Sequence, residues 1–293
     1  MGIYDGKKFI KADLHMHTTF SDGTDKPEEL LAHIREAGID LFSVTDHDEL
    51  MGSVEMMRLL EADDAPDKPA FVPGIEFSCR DEKGKYHILG YNYDICAGSV
   101  LAAVRKFHGI RMEKLEGRLR FLEKNFGIEF TDDEKRSLRS LNNPGKPHIG
   151  KILMDHGYGK NMKDAIDNFV SKYHGPEEKM RPEDAIEAVL KGGGIPVLAH
   201  GLFGDGTQLL DEEEMVERIT RLIGYGLKGL ECFYSGFSPK QERIMLSLAE
   251  RFDMVITAGS DYHGRNKLVV LGDTGFSEPE DIMPYLDGFI KLL

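Results

Sequence analysis

Cysteine is scarce in this 293-residue chain: Cys79, Cys96 and Cys232 are odd in number and far apart. That excludes a disulfide framework and fits a reducing compartment. No apolar run reaches membrane-spanning length, and no cationic stretch followed by an apolar one opens the chain. The expected location is the cytoplasm. Positive charge is in deficit, with 37 Lys and Arg against 51 Asp and Glu, a net charge of −14. A broad basic surface for duplex nucleic acid is therefore not expected. A small phosphorylated ligand in a metal-lined pocket stays compatible, because bound cations reverse the local field. Sequence repeats are also lacking, beyond four helix starts with proline in the first turn: Pro27, Pro182, Pro239 and Pro279. What is present is a 41% apolar content, enough for a sizeable core in one large domain or two ordinary ones.

The chain opens on a histidine cluster, Asp13-Leu14-His15-Met16-His17, with Ser21-Asp22-Gly23 behind it. Alternating apolar and polar residues predict a strand, and residues two apart on a strand point to one side. His15 and His17 would thus project together as a two-imidazole metal grip. A helix from Pro27 to Ala37 follows, closed by Gly38. Further strands are expected at Leu41–Thr45, Phe71–Phe77, Tyr86–Tyr91, Ile195–Ala199, Gly229–Phe233 and Val255–Ala258. From Ser99 to Tyr173 the pattern is helical, broken at Asn142-Asn143-Pro144-Gly145. Seven strands mostly separated by helices predict an α/β fold with parallel strands.

The polar residues fall in one place. His15, His17, His47, Glu76, His200, Asp261 and His263 lie at or just past the C-terminal ends of strands, the face on which a parallel barrel builds its active site. Asp22 and His87 join them by type. Asp22 also suits a simple turn, and His87 stands at the start of its strand, where the barrel rule predicts no ligand. Six imidazoles and three carboxylates exceed the needs of one ion and imply two or three. Glu76, with two oxygens to share, is the best bridge. Clustered ions can polarise a phosphoryl oxygen and lower the pKa of a water toward roughly 7. A metal-bound hydroxide is then the expected nucleophile, with Asp46 as a hydrogen-bonded support for a ligating histidine. Glu231 ends a strand and fits either the site or a structural hydrogen bond. His33, His108, His156 and His174 suit solvated or packed roles.

These motifs resemble the polymerase and histidinol phosphatase (PHP) family of metal-dependent phosphoesterases. The likeness rests on Asp13–His17, Ser21–Gly23, Thr45-Asp46-His47, Pro73–Glu76, His87, Ala199-His200 and Gly259–His263, in that order, over nearly the whole length. It implies a distorted seven-stranded β/α (TIM-like) barrel carrying a trinuclear centre. One ion would sit on His15, His17, Glu76 and Asp261, a second on Glu76, His87 and His200, and a third on Asp22, His47 and His263. The barrel would span residues 1–98 and 177–293, with a small helical domain inserted at 99–176. That insertion resembles the nucleotide-phosphatase subgroup, whose substrates include nucleoside 3′,5′-bisphosphates and oligoribonucleotide 5′ ends. By the same likeness Lys146 and His148 are candidate phosphate contacts; a plain helix start fits them equally. Arg80 and Arg265 follow ligand motifs and are further candidates. Where the subgroup has proline after His200, this chain has Gly201 and then Leu202-Phe203-Gly204-Asp205-Gly206, a loop able to alter substrate choice.

The expected function is hydrolysis of a phosphate monoester on a small nucleotide-type substrate, using two or three divalent ions of manganese, zinc or iron. No membrane or duplex partner is expected, and oligomeric state is not readable. Histidinol-phosphate phosphatase is the nearest rival. A metal amidohydrolase lacks support, since no strand-terminal lysine stands ready to bridge two ions. A barrel that holds metal only to serve a partner is the rival outside enzymology.

Overall fold

Residues 4, 7–141, 144–175, 179–203 and 209–293 are described in the computed structural model. The break at Asn142-Asn143 and the Gly204-Asp205-Gly206 part of the loop after His200 lie outside them. Three short parallel strands, β1 (Ala12–Asp13), β2 (Leu41–Phe42) and β3 (Ala70–Phe71), form one sheet in that order. A second sheet runs β4 (Gly74–Asp81), β5 (Gly84–Tyr91), β6 (Ile195–Leu198), β7 (Gly229–Tyr234) and β8 (Val255–Gly259). The fold is α/β, but among the described residues the strand ladders form two sheets and not one closed barrel.

Two expectations need correction. The strand expected over Phe71–Phe77 divides into β3 and β4, because Pro73 between them has no N–H for a ladder. The strands are also not all parallel. The turn Asp81-Glu82-Lys83-Gly84 folds β5 straight back on β4, so β5 pairs antiparallel with both β4 and β6. A hairpin of this length leaves no room for the crossover helix that a parallel neighbour requires. β6, β7 and β8 are parallel.

Beyond Asp13 the first strand continues irregularly. The Leu14 N–H donates to Ala258 O, the Asp261 N–H to His15 O and the His17 N–H to Tyr262 O. On the other side the Thr45 N–H donates to Met16 O, and His47 bridges in parallel to Glu76. The two sheets are thereby joined at the histidine-bearing ends.

The helices of this part are α1 (Pro27–Glu36), α2 (Met51–Glu61), the first turns of α3 (Gly98–Phe126), α7 (Pro182–Lys191), α8 (Glu212–Tyr225), α9 (Pro239–Arg251) and α10 (Pro279–Ile290). Four of them open on the prolines named above; at that position the missing N–H is one the helix leaves unbonded anyway. Leu30, Leu31 and Ile34 of α1 pack with Met16, Phe42, Val44 and Met56, all buried. Each such side chain contributes about 1.5–3 kcal/mol over an exposed one.

The chain forms two compact units, residues 1–104 with 180–293, and Arg105–Lys179. The helical unit thus starts some residues later than the expected 99. The reason lies in α3, whose first turns belong to the larger unit: Val100 is fully buried and Ser99 Oγ donates to Ala188 O. The helical unit holds the rest of α3, α4 (Asp132–Arg139), α5 (Lys146–Asp155) and α6 (Met162–Asn168). Leu115, Leu119 and Leu122 recur at helical spacing and pack with Ile128, Leu138, Ile149 and Leu153.

Candidate metal centre

Glu76, on β4 and 1% exposed, is the hub. Its Oε2 lies 3.2 Å from His15 Nε2, 3.2 Å from His17 Nε2 and 3.1 Å from His47 Nδ1. Its Oε1 lies 2.6 Å from His87 Nδ1 and 3.3 Å from His200 Nε2. Asp261 Oδ1 is 3.6 Å from His15 and 3.3 Å from His17. Asp22, half exposed, reaches His263 Nε2 at 3.2 Å and His47 Nε2 at 3.9 Å. All nine candidate residues therefore converge.

Three groups have donor atoms close enough together to hold an ion: His15, His17, Glu76 and Asp261; His17, Asp22, His47 and His263; and His47, Glu76 and His87. The grouping differs from the implied one at two points, the first being that His17 joins Asp22, His47 and His263. At the second, His47 stands with Glu76 and His87, while His200 lies beside them, 3.2 Å from His87. The two ring nitrogens of His47 face different groups.

His15 Nε2, His17 Nε2, His47 Nδ1, Glu76 Oε2 and His263 Nε2 are buried and meet no hydrogen-bond partner in usable geometry among the described residues. Buried polar atoms left unpaired are costly. Their convergence fits divalent cations, which satisfy nitrogen and oxygen donors alike. Electrostatics agree. Burial alone would raise the pKa of Glu76, but His47, His87 and His15 hold it well below the usual carboxylate range. Burial likewise opposes ionisation of Asp261 and is outweighed by His15 and His17. Burial, with His17 and His87 adding to it, depresses His47 to about 3 and leaves it a neutral donor. For His17, burial opposes protonation, and Asp261 and Glu76 overcome it to give about 9.

The surroundings orient these groups. Glu231, fully buried on β7, accepts the His15 Nδ1–H at 2.8 Å and the His200 backbone N–H at 2.7 Å. Asp13 accepts the backbone N–H groups of Ser260 and Gly272, both at 2.9 Å. Lys267 and the Tyr234 hydroxyl donate to Asp261 Oδ2, at 2.6 and 3.0 Å, leaving Oδ1 toward the histidines. His200 and Asp261 both have positive φ, 30° and 59°. Such strain in non-glycine residues gathers at functional sites.

The antiparallel turn of β5 explains His87. Because the strand runs backward, its early residues lie level with the far ends of its neighbours: His87 pairs with Ser78, and its carbonyl accepts the Ala199 N–H. Asp46 corrects the expected direct support of a histidine. It accepts from Thr18 N–H, Thr18 Oγ1 and Ser21 Oγ, and only Ser21 then approaches His17, at 3.4 Å. Buried Asp46 is used to fix the loop after His17. Lys146 and His148 lie at the start of α5 in the helical unit, bonded to Ser171 Oγ and the Gly145 N–H. Arg80 sits on β4, its N–H bonded to Met180 O. Arg265 lines a separate hollow with Thr24, Lys26 and His33. Sequence patterns placed Asp13 in the opening motif without assigning it a role, and did not single out Tyr234 or Lys267, since neither carries a motif of its own.

A family model of the PHP domain matches residues 13–175. The chain belongs to the PHP family. A phosphoribosyl 1,2-cyclic phosphate 1,2-diphosphodiesterase of Eggerthella lenta is 29% identical over 86% of this chain and 94% of its own. A 3′,5′-nucleoside bisphosphate phosphatase of Chromobacterium violaceum is 24% identical over 93% and 92%. The solved structure of a candidate metal-dependent phosphoesterase from Bifidobacterium adolescentis superposes on this PHP protein with a TM-score of 0.74, at 28% identity, covering 94% of this chain and 96% of its own.

Proposed function

We propose that this metal-dependent phosphoesterase hydrolyses a phosphate monoester on a small nucleotide-type substrate, such as a nucleoside 3′,5′-bisphosphate or an oligoribonucleotide end. The observation that carries this reading is the sharing of Glu76, His17 and His47 among three donor groups beside one cavity of about 310 Å³. Phosphoester cleavage needs several positive charges around one phosphoryl group, and shared donors bring ions that close. The bisphosphate phosphatase and cyclic phosphodiesterase relatives support the substrate class.

In this reading His15, His17, Glu76 and Asp261 hold one of two or three divalent ions, and His47, His87, His200, Asp22 and His263 hold the others. Manganese, zinc and iron all suit such mixed nitrogen and oxygen donors. When bound, the ions supply Lewis acidity toward a phosphoryl oxygen and a water of lowered pKa. The protein's part is orientation. Glu231 fixes the tautomer of His15 by accepting a hydrogen bond from its Nδ1–H and holds the strained His200 backbone in place. Lys267 and Tyr234 turn Asp261 so that one oxygen faces the histidines. We further read the two sheets as arcs of a distorted seven-stranded barrel, with β3 and β4 as one interrupted strand. The helical unit is then an insertion, and the cytoplasm the working compartment. Among the described residues no helix is long and apolar enough to cross a membrane.

The test is phosphate release by purified protein reconstituted separately with manganese, zinc and iron. The panel contains nucleoside bisphosphates, 5′-phosphorylated oligoribonucleotides, a ribose cyclic phosphate and histidinol phosphate. Turnover of nucleotide substrates above histidinol phosphate is expected; no release from any of them overturns the proposal.

A further inference from the structure

Among the described residues, the cavity beside the metal centre is lined by more than the candidate ligands. His87 and His200 form part of its wall, and Lys85, Tyr86, Arg218 and Lys267 form another part. Three of these are cationic, in a protein of net charge −14. Lys267 is accounted for by its ion pair with Asp261. Arg218 is different. It comes from α8, it is 6% exposed, and among the described residues it makes no ion pair. Its one hydrogen bond there runs from Nη1 to the backbone carbonyl of Lys85, at 3.0 Å. Its guanidinium carbon lies 4.2 Å from the centre of the Tyr86 ring. Asp81, at the end of β4, is already engaged by the Tyr86 hydroxyl and by Arg221. Burial accordingly holds the Arg218 pKa below its usual value.

Among the described residues Asp81 and Glu214 act on this buried charge only from beyond ion-pair distance, and a simple packing role would be met as well by an apolar side chain. The guanidinium is held over the Tyr86 ring and by one hydrogen bond, and retains further donors. A planar fork of donors fixed in a cavity wall matches an oxyanion, which it can bind through two hydrogen bonds. We infer that Arg218 recognises a second oxyanion on the substrate, apart from the phosphate held at the metal centre, and so selects doubly anionic phosphoesters over simple monophosphates. This rests on the phosphoesterase reading and narrows it.

The probes are adenosine 3′,5′-bisphosphate, adenosine 3′-monophosphate and adenosine 5′-monophosphate, assayed with metal-loaded protein. The wild type is expected to show a higher kcat/KM for the bisphosphate than for either monophosphate. Arg218→Met should reduce that preference by about 10- to 100-fold, the range of a lost charge-assisted contact. Arg218→Lys, which keeps the charge but not the fork, should fall between. An equal loss on all three substrates, with the preference intact, overturns the inference and leaves the phosphoesterase reading standing. If Arg218→Met does not fold, Arg218→Lys carries the test, and an unchanged preference in it overturns the inference. If the wild type hydrolyses none of the three, the mononucleotide form of the proposed function fails. Calorimetric binding of the bisphosphate to the metal-free protein then decides on Arg218: at least tenfold weaker binding in the variant supports it, and equal or absent binding overturns it.

Discussion

Glu231 takes hydrogen bonds from two donors at once, one from His15 and one from the His200 backbone. A glutamine can accept with only one of its two terminal atoms, so Glu231→Gln leaves one donor unpaired. Loss of such a partner behind a ligating histidine costs about 10- to 100-fold in metal affinity or activity. Metal content by elemental analysis and kcat with a phosphoester substrate should both fall; unchanged values would assign Glu231 to packing alone. Gly52 makes a second test. Alanine inside a helix is ordinarily better than glycine by about 1 kcal/mol. Here a Cβ on Gly52 would fall 1.8 Å from Asp46 Oδ2, displacing the carboxylate that holds Thr18 and Ser21. Overpacking of this kind costs about 1–3 kcal/mol. Gly52→Ala should therefore lower both thermal stability and turnover, and a more stable variant would show that Asp46 is free to move.

At the scale of elements, a short hairpin decides what β5 can contribute. Reversal after Asp81 brings the early residues of β5 level with the late ones of β4, and His87 reaches Glu76 from the strand end that a parallel order would point away. The start of α5 is a case where local structure has a measurable pH signature. Burial pushes the His148 pKa below its ordinary value, and its Nδ1 must be unprotonated to accept the Gly145 N–H. In the unfolded chain the group titrates near its ordinary pKa of about 6.5. As pH falls through that value the unfolded state takes up the proton first, and folded stability declines toward the lower folded pKa. Between pH 7.5 and 5.5 the melting temperature of the wild type should drop further than that of His148→Gln, whose carbonyl can keep the Gly145 bond. Parallel pH slopes would remove His148 from the stability balance.

At the scale of the molecule, donors from six strands or strand ends and one loop meet in a small volume, and their unmet hydrogen bonding weakens the metal-free fold. A ligand that binds only the folded state stabilises it by about 4 kcal/mol at a thousand times its dissociation constant. With roughly 2–4 °C per kcal/mol for a chain of this size, manganese or zinc should raise the melting temperature by several degrees. A chelator should reverse the rise and abolish turnover together, and addition of the ion should restore both. A melting temperature indifferent to metal would separate the cluster from folding.

How much of this was legible beforehand follows from what each feature depends on. Metal-type residues placed after apolar runs are local in the chain, so His15, His17, His47, Glu76, His200, Asp261 and His263 could be collected from strand ends, and the α/β class from the alternation of strands with helices. The proline-led starts of α1, α7, α9 and α10 are likewise local, because they depend on one missing N–H. The direction of β5 was not legible as a role for His87, since the turn was visible but its partner strands were not. Nor were Glu231 as the common acceptor, Lys267 on Asp261, or Arg218 over Tyr86: each is a contact between residues far apart in sequence, made by surrounding burial. Residue type and spacing alone determined which groups could bind a cation. Only the tertiary structure decided which of them share Glu76, because convergence depends on strand order and direction, and neither is encoded within any single stretch.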